Sequence, residues 1–555
     1  MSSQNKKKSS NSFLVQGSVL AAAGIISRII GLVYRVPLLN LMTVKGQGFY
    51  EVAFQIYQIA LLLTSYSLPL AVSKMVSTRM ANGEKRNAYR AFKAALLFAF
   101  IVGSVIALII FFGADFIATY IMSMSLSAYA LRVLAPCLVI VALMGVMRGF
   151  FQGLGTMLPT AITQILEQLV NAVVSLIAAG AMLGYGEEMA KKEGNDLLTA
   201  AYAAAGGTMG TLAGALIGLV FLVFLFYAYK SRLKRQLKSD RTATQESYRM
   251  IIKVMLLTIA PVILSTSIYN LQSVLDNAIF SKIMTLQGAD QDECALLVGK
   301  ISQYNTLVAI PLAIANALAS SLIPSLVAAV QSRERRRVHQ KIFTVTRFTM
   351  LIAIPCAVGF FVLAKPINDL LFHVDNEVQA MLLRIGAISV VFFCLSTVTN
   401  AVLQGMNRMM KPVKNAAISL IVHLIVLFVV LAVFKWGVYG MIVSKVAFSI
   451  SMCILNAHDI REANGYIQET RQTFVIPGIA AVIMGIVTFL VYFMLDILIG
   501  GYAATIIAVI IAVITYAAGL LLLGALTEEE LLGMPKGASI VKVLKRLHLL
   551  KEEYY

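Results

Sequence analysis

Gly24-Ile25-Ile26-Ser27-Arg28-Ile29-Ile30-Gly31-Leu32-Val33-Tyr34-Arg35 lies inside the first long apolar run of the chain, roughly Phe13 to Met42. A helix of about 20 apolar residues crosses a bilayer core, so this run reads as a membrane span. The two arginines are expensive there. Each costs about 2.5–3.5 kcal/mol at bilayer depth on insertion scales. Seven residues make nearly two helical turns, which puts Arg28 and Arg35 on one face, roughly 10 Å apart. A helix with two guanidinium groups on one stripe turns them toward water or an anion. The forked donors suit a phosphate or pyrophosphate. A carrier of anionic cargo is the first expectation. The structural alternatives are that Arg35 snorkels to the headgroups and that Arg28 pairs with a carboxylate of a neighbouring span.

The rest of the chain has the same character. Of 555 residues, 59% are hydrophobic and only 13% charged, against about 25% charged in a soluble domain. An all-α membrane protein follows. Its apolar runs fall near 14–40, 49–76, 91–113, 131–151, 160–184, 200–228, 251–280, 297–330, 343–363, 381–403, 416–434, 437–457, 474–498 and 501–524, fourteen spans in all. The net charge of +19 does not point to nucleic acid, because the basic residues cluster in short loops. Arg79, Lys85, Arg86 and Arg90 form one such loop, and Arg333, Arg335, Arg336 and Arg337 another. Lys230 to Arg235 and Arg408 to Lys414 continue the alternation, which places both termini on the cytoplasmic side of the membrane. The first span lacks a small-residue cleavage site and reads as an anchor, not a removable signal. Five scattered cysteines and five scattered histidines form no disulfide framework and no metal-ligand spacing. The expectation is no metal and no bound cofactor.

Two segments echo each other. Phe151-Gln152-Gly153 and Pro159 resemble Leu403-Gln404-Gly405 and Pro412, and Ser67-Leu68-Pro69 with its basic loop resembles Ser321-Leu322-Ile323-Pro324 with its own. The period of about 252–255 residues holds six spans, so the halves run parallel. This predicts a cytoplasmic segment 1–13, an N-terminal lobe 14–228, a basic linker 229–250 and a C-terminal lobe 251–457. The two six-helix lobes are expected to flank a central cavity. Spans 13 and 14, residues 474–524, stand outside the repeat and are expected to serve a lipid tail. Residues 525–555 read as a cytoplasmic amphipathic tail, because from Ser539 to Tyr555 apolar and basic residues alternate at helical spacing.

Further polar residues in the spans are candidates. Asp276 in span 7 is expected level with Arg35, as a gate partner or an ion site, and Glu51 at the start of span 2 belongs to the same gate. Glu167 in span 5 is a candidate proton site or partner of Arg28. Asn270 and Gln272 are candidate donors to sugar hydroxyls, although polar residues also simply join helices. Lys74 is a candidate cargo contact or a positive-inside anchor. Gly206, Gly210, Gly214 and Gly218 form a continuous small-residue series that predicts close helix packing.

The stretch Gly24 to Pro37 resembles the opening of the stage V sporulation protein B and YtgP-type group, polysaccharide-export proteins in the multidrug/oligosaccharidyl-lipid/polysaccharide flippase superfamily. The likeness continues through Gly46-Gln47-Gly48-Phe49-Tyr50, Leu68-Pro69-Leu70-Ala71-Val72-Ser73-Lys74, Pro311 to Leu318 and the tail Leu526 to Gly537. That group is similar to MurJ-type lipid II flippases. The resemblance implies a fourteen-helix, two-lobed fold with a cationic cavity for pyrophosphate and sugars. Its last two helices line a groove for the polyprenyl tail. By the resemblance Arg28 and Arg35 match two arginines of the first helix. Here one more residue separates them, and Val36 stands where an aspartate often follows. Lys74 corresponds to a second-helix arginine.

The function expected is thus a flippase, not an enzyme, that moves undecaprenyl-pyrophosphate-linked peptidoglycan precursor (lipid II) outward by alternating access. Membrane potential, Na+ or H+ are the candidate drivers. The expected partners are the lipid-linked glycan, membrane lipids and cell-wall synthesis machinery, with the protein a monomer. The alternatives are a flippase for another polyprenyl-linked polysaccharide unit or a drug/cation antiporter of the same superfamily. The antiporter would favour an acidic cavity. A membrane-bound glycan polymerase or ligase would require catalytic carboxylates in sizeable outer loops, and these loops are short.

Overall fold

The computed structural model describes residues 2–240, 245–373 and 377–524, with the side chains of all of these except 2–18, 21, 66, 261, 262, 264–270 and 324. Each of the fourteen apolar spans coincides with a helical stretch. In chain order the helices are α1 (Ser2–Leu41), α2 (Thr43–Leu61), α3 (Leu68–Ala81), α4 (Lys85–Phe116), α5 (Ser127–Leu134), α6 (Cys137–Gly153), α7 (Leu158–Glu193) and α8 (Leu197–Lys238). They continue as α9 (Tyr248–Leu286), α10 (Gln291–Gln331), α11 (Arg335–Val362), α12 (Ala364–Phe372), α13 (Glu377–Gly405), α14 (Met410–Phe428), α15 (Val438–Asn464), α16 (Ile476–Ile499) and α17 (Gly501–Leu522). Among the described residues, thirteen helical runs are long and apolar enough to cross a membrane by length and composition. Helix α9 covers the remaining expected span, 251–280. Helix α1 begins at Ser2, within the segment 1–13 expected to be cytoplasmic. The expected amphipathic tail, 525–555, lies outside the described residues.

By its contacts the chain divides into two units, Met1–Gln303 and Tyr304–Tyr555. The boundary falls inside α10, downstream of the linker that separates the sequence repeats. The reason is close packing of α2 on α9 and the start of α10. A Cβ on Gly48 would meet the Ala295 carbonyl oxygen at 2.2 Å, and one on Gly299 would meet the Val44 carbonyl oxygen at 1.8 Å.

In the first unit, α7 and α8 are zipped together by the predicted glycine series. A Cβ on Gly206 would lie 2.4 Å from the Ala178 oxygen, one on Gly210 2.1 Å from Ser175 Oγ, and one on Gly214 2.5 Å from the Glu167 oxygen. The fourth, Gly218, faces Met144 of α6. Because lipid is as apolar as a leucine side chain, such close approach, not hydrophobic exclusion, drives helix pairing in the bilayer. Gly210→Val is expected to force the hairpin apart and cost about 1–3 kcal/mol or more. A lowered thermal unfolding midpoint in detergent checks it; an unchanged midpoint would show that the contact is not close.

Span 2 is not continuous. A π-helical turn at Leu62–Tyr66 ends α2, and α3 restarts with Pro69 in its first turn, where a missing N–H costs nothing. The basic loop after α3 is clasped by the linker. Arg79 grips the Glu246 carboxylate through Nε (3.1 Å to each oxygen) and Nη2. Asn87 Oδ1 accepts from the Glu246 amide at 3.1 Å, and Asp240 Oδ2 accepts from the Arg86 amide at 2.6 Å.

In the second unit, α14 and α15 share a buried polar network. Asn415 Nδ2 donates to Asp459 Oδ2 at 2.7 Å and to Asn456 Oδ1 at 3.0 Å, and Lys411 Nζ donates to Asp459 Oδ1 at 2.6 Å. Helices α16 and α17 pack on each other through Ala480 and Gly519. They leave Ile483, Ile486, Phe493, Ile510 and Val513 exposed, as suits a surface facing lipid tails.

Candidate functional site

The polar residues of the first unit converge on a seam where α1, α2, α9 and α10 meet. Glu51, buried about two turns into α2, is its centre. Its Oε2 accepts from Arg35 Nη2 at 3.2 Å and from Ser302 Oγ at 3.0 Å, while Oε1 accepts from Gln55 Nε2 at 3.1 Å. Gln55 Oε1 in turn accepts from Asn277 Nδ2 of α9 at 2.8 Å. One carboxylate thus ties four spans together. Lys45 and Asp292 form a second, more exposed pair between the starts of α2 and α10. The glycines Gly48 and Gly299 permit the approach, since side chains at either would collide with backbone across the seam.

Arg35 keeps part of its side chain exposed, 28% of its surface against 12% for Glu51. It also lies over the Tyr50 ring, 5.9 Å from the centroid, a favourable seat for a cation. A charge pair this far from water is held by its additional hydrogen bonds, because the pair alone scarcely repays desolvation. Arg28 is in a different state. It lies two turns earlier on the same continuous helix, is exposed, and makes no hydrogen bond or ion pair among the described residues. Between Arg28 and Arg35, α1 packs on α7, with Tyr34 OH accepting from Asn171 Nδ2 at 3.0 Å and Gly31 against Gln168.

The other candidates are distributed unequally. Asp276 is buried on α9, next to the seam residue Asn277. The carboxylate that Arg35 takes is Glu51 of the adjacent span. Glu167, expected as a partner for Arg28 or a proton site, is instead held by Arg148 of α6. Arg148 Nη2 donates to Glu167 Oε2 at 2.8 Å and its Nε to Thr163 Oγ1 at 3.1 Å. The correction has a simple cause: α6 presents its arginine across the short turn into α7, nearer than α1 brings Arg28. Lys74 is exposed on α3 and Gln272 half-buried on α9. The side chain of Asn270 lies outside the described residues.

Sequence reading missed further charged residues inside spans, among them Arg148, the buried Lys300 of α10, the buried Arg347 of α11, and Lys445 of α15, whose Nζ donates to Asn305 Oδ1 at 2.9 Å. All were detectable by the criterion that singled out Arg28, a charge within an apolar run. In the second unit, α11, α13 and α16 enclose an apolar groove of about 840 Å3, walled by Phe361, Ile388, Val482, Ile486 and Phe489. Its one charged lining residue, Arg384, pairs with Glu377 at 3.0 Å. Helix α17 does not line it. Among the described residues no group of His, Cys, Asp and Glu is placed to hold a metal ion.

Residues 13–330 match the model of a family described as polysaccharide biosynthesis protein, and residues 261–429 match the MatE family. The chain is 26% identical over 430 residues to lipid II flippase MurJ of Bacillus subtilis (strain 168), covering 75% of this chain and 77% of that one. It is 24% identical over 449 residues to stage V sporulation protein B of the same organism, covering 80% and 83%. A solved structure described as lipid II flippase MurJ, inward closed conformation, has the same fold. The TM-score is 0.63 at 12% identity, over 90% of this chain and 97% of that one. The fourteen helical spans and the family match agree with the sequence resemblance. The chain belongs to the polysaccharide biosynthesis protein family and is a multi-pass membrane protein.

Proposed function

We propose that this protein is a flippase for a lipid-linked glycan, and that its cargo is the undecaprenyl-pyrophosphate-linked peptidoglycan precursor lipid II. It carries the cargo from the inner to the outer leaflet by alternating access. The observation that carries this reading is the division between the two arginines of α1. Arg35 is committed to Glu51, whereas Arg28 is exposed without a partner and pays the insertion cost of a charge with no structural return. A pyrophosphate supplies that return, with two or more negative charges and oxygens spaced for a guanidinium fork. The similarity to a named lipid II flippase supports the cargo, and the apolar groove of the second unit offers length for an isoprenoid chain.

The membrane potential suits such a cycle. With the inside negative, each negative charge moved outward gains about 2.3 kcal/mol per 100 mV. The same field draws the emptied cationic site back inward, so both half-cycles are driven. A Na+ or H+ gradient is the rival driver. In proteoliposomes carrying fluorescent lipid II, an imposed inside-negative potential is expected to accelerate outward movement without a Na+ or H+ gradient. Acceleration by either gradient at zero potential would transfer the coupling to that ion. The similarity to stage V sporulation protein B favours a second reading, in which another polyprenyl-linked polysaccharide unit is moved. Complementation separates the two. Rescue of a strain depleted of its lipid II flippase supports lipid II, and failure at full expression assigns the other glycan.

A further inference from the structure

We propose that the turns α10–α11 and α13–α14 of the second unit form a binding pocket for the phosphate of an anionic phospholipid of the inner leaflet. The proposal rests on reading these basic loops as cytoplasmic and is independent of the transported cargo. The pocket holds about 340 Å3 and is lined by Arg333, Arg335, Arg408 and Asn464 over a floor that includes Val338 and Met406. No carboxylate lines it. Glu334 is turned toward Arg337 at 3.7 Å and Glu462 toward Lys411 at 3.3 Å. None of the three pocket guanidinium groups has a hydrogen bond or ion pair among the described residues. In the wall beside them, Asn464 Nδ2 is a buried donor with no acceptor. Its backbone carbonyl is fixed by the His339 ring, with Nε2 at 3.0 Å. Three cations and an unmatched amide donor converge on one space, and an oxyanion satisfies all of them.

The internal repeat makes the arrangement specific. In the first unit the turn after α3 places Gly83 at φ +81°, and the turn after α6 places Gly155 at φ +85°. The corresponding turns of the second unit have the same backbone bonding, with the amide of Arg333 donating to the Val330 oxygen as that of Gly83 does to Met80. Yet here Arg333 adopts φ +56° and Asn407 φ +61°. A left-handed backbone is strained for a residue with a Cβ and free for glycine. The chain thus accepts strain to place an arginine where its repeat has glycine, and Arg408 stands where the repeat has Thr156. The loop of the first unit is neutralised by Glu246 and Asp240 of the linker, whereas this pocket has no such carboxylate. It lies at helix ends, at headgroup level, where basic pockets take anionic lipid heads. The apolar floor suits the glycerol and first methylenes of a phospholipid better than a free inorganic anion.

The test is native mass spectrometry of the full chain in neutral detergent, titrated with phosphatidylglycerol, with phosphatidylcholine, and with inorganic pyrophosphate. The expected result is one phosphatidylglycerol bound in preference to phosphatidylcholine. Affinity should fall roughly tenfold for each arginine removed in Arg333→Gly, Arg335→Ala and Arg408→Ala. Arg333→Gly relieves the strained turn and is expected to unfold at the wild-type temperature or above, so its loss of lipid cannot come from misfolding. Equal binding of both lipids, or undiminished phosphatidylglycerol binding by the triple variant, overturns the proposal. Pyrophosphate binding as tight as that of the lipid would also overturn it, in favour of a soluble anion.

Discussion

Arg28→Ala is expected to lower lipid II movement in proteoliposomes by roughly ten- to a hundredfold, the value of one charge-assisted, forked contact to a phosphate. The same substitution should leave the thermal unfolding midpoint in detergent unchanged or slightly raised. The two expectations come from one fact. Arg28 makes no hydrogen bond or ion pair among the described residues, so its removal breaks nothing in the fold and takes a charge off a membrane span. Arg28→Lys keeps the charge but loses the planar fork, and its rate should fall between those of the wild type and the alanine variant. Equal flipping by Arg28→Ala and wild type would remove the observation on which the proposed function rests. A matching fall in stability would make Arg28 a structural residue instead.

How much of this was legible in the sequence follows from the range of the forces involved. Span positions were legible because a bilayer imposes a length on every apolar run, and each expected span meets a helix. The small-residue series of α8 was legible because its partners lie on a neighbouring helix joined by a short turn. Pairing across spans was not. Arg148 and Glu167 are 19 residues apart on different helices, and no helical period brings them together. The step from Asp276 to Asn277 turns the side chain by about 100°, and it is Asn277 whose amide reaches Gln55. The interruption of span 2 at Leu62–Tyr66 leaves only a short local trace, Thr64 and Ser65 with Pro69 after them, and hydroxyls that bond back to Ala60 and Leu61 are compatible with an unbroken span as well.

Glu51→Ala is expected to have the largest effect on stability. It removes an acceptor of Arg35, Gln55 and Ser302 at once and deprives a mostly buried guanidinium of its carboxylate. Breaking a buried ion pair from one side costs about 3–5 kcal/mol. The partial exposure of Arg35, 28% of its side chain, lowers that to about 2–4 kcal/mol by letting water reach the charge. The local consequence can be separated from general unfolding by Cys294. This thiol is fully buried and lies beside Ala295, the residue pressed against Gly48. In a variant keeping Cys294 as its only cysteine, labelling by a membrane-impermeant maleimide should be slow, and Glu51→Ala should accelerate it several-fold at temperatures well below unfolding. Glu51→Gln keeps one acceptor oxygen, enough for Ser302 or Gln55 but not both, and loses the charge, and should give an intermediate rate. The double variant Arg35→Leu/Glu51→Leu is the control that decides the mechanism. Removing both charges eliminates the cation deprived of its carboxylate, so stability should recover by roughly half or more of the loss, whereas the rapid labelling should remain. Recovery of both properties would mean that apolar packing alone closes the seam. Recovery of neither would place the cost in the hydrogen bonds to Ser302 and Gln55, leaving Arg35 without a part in holding the four spans together.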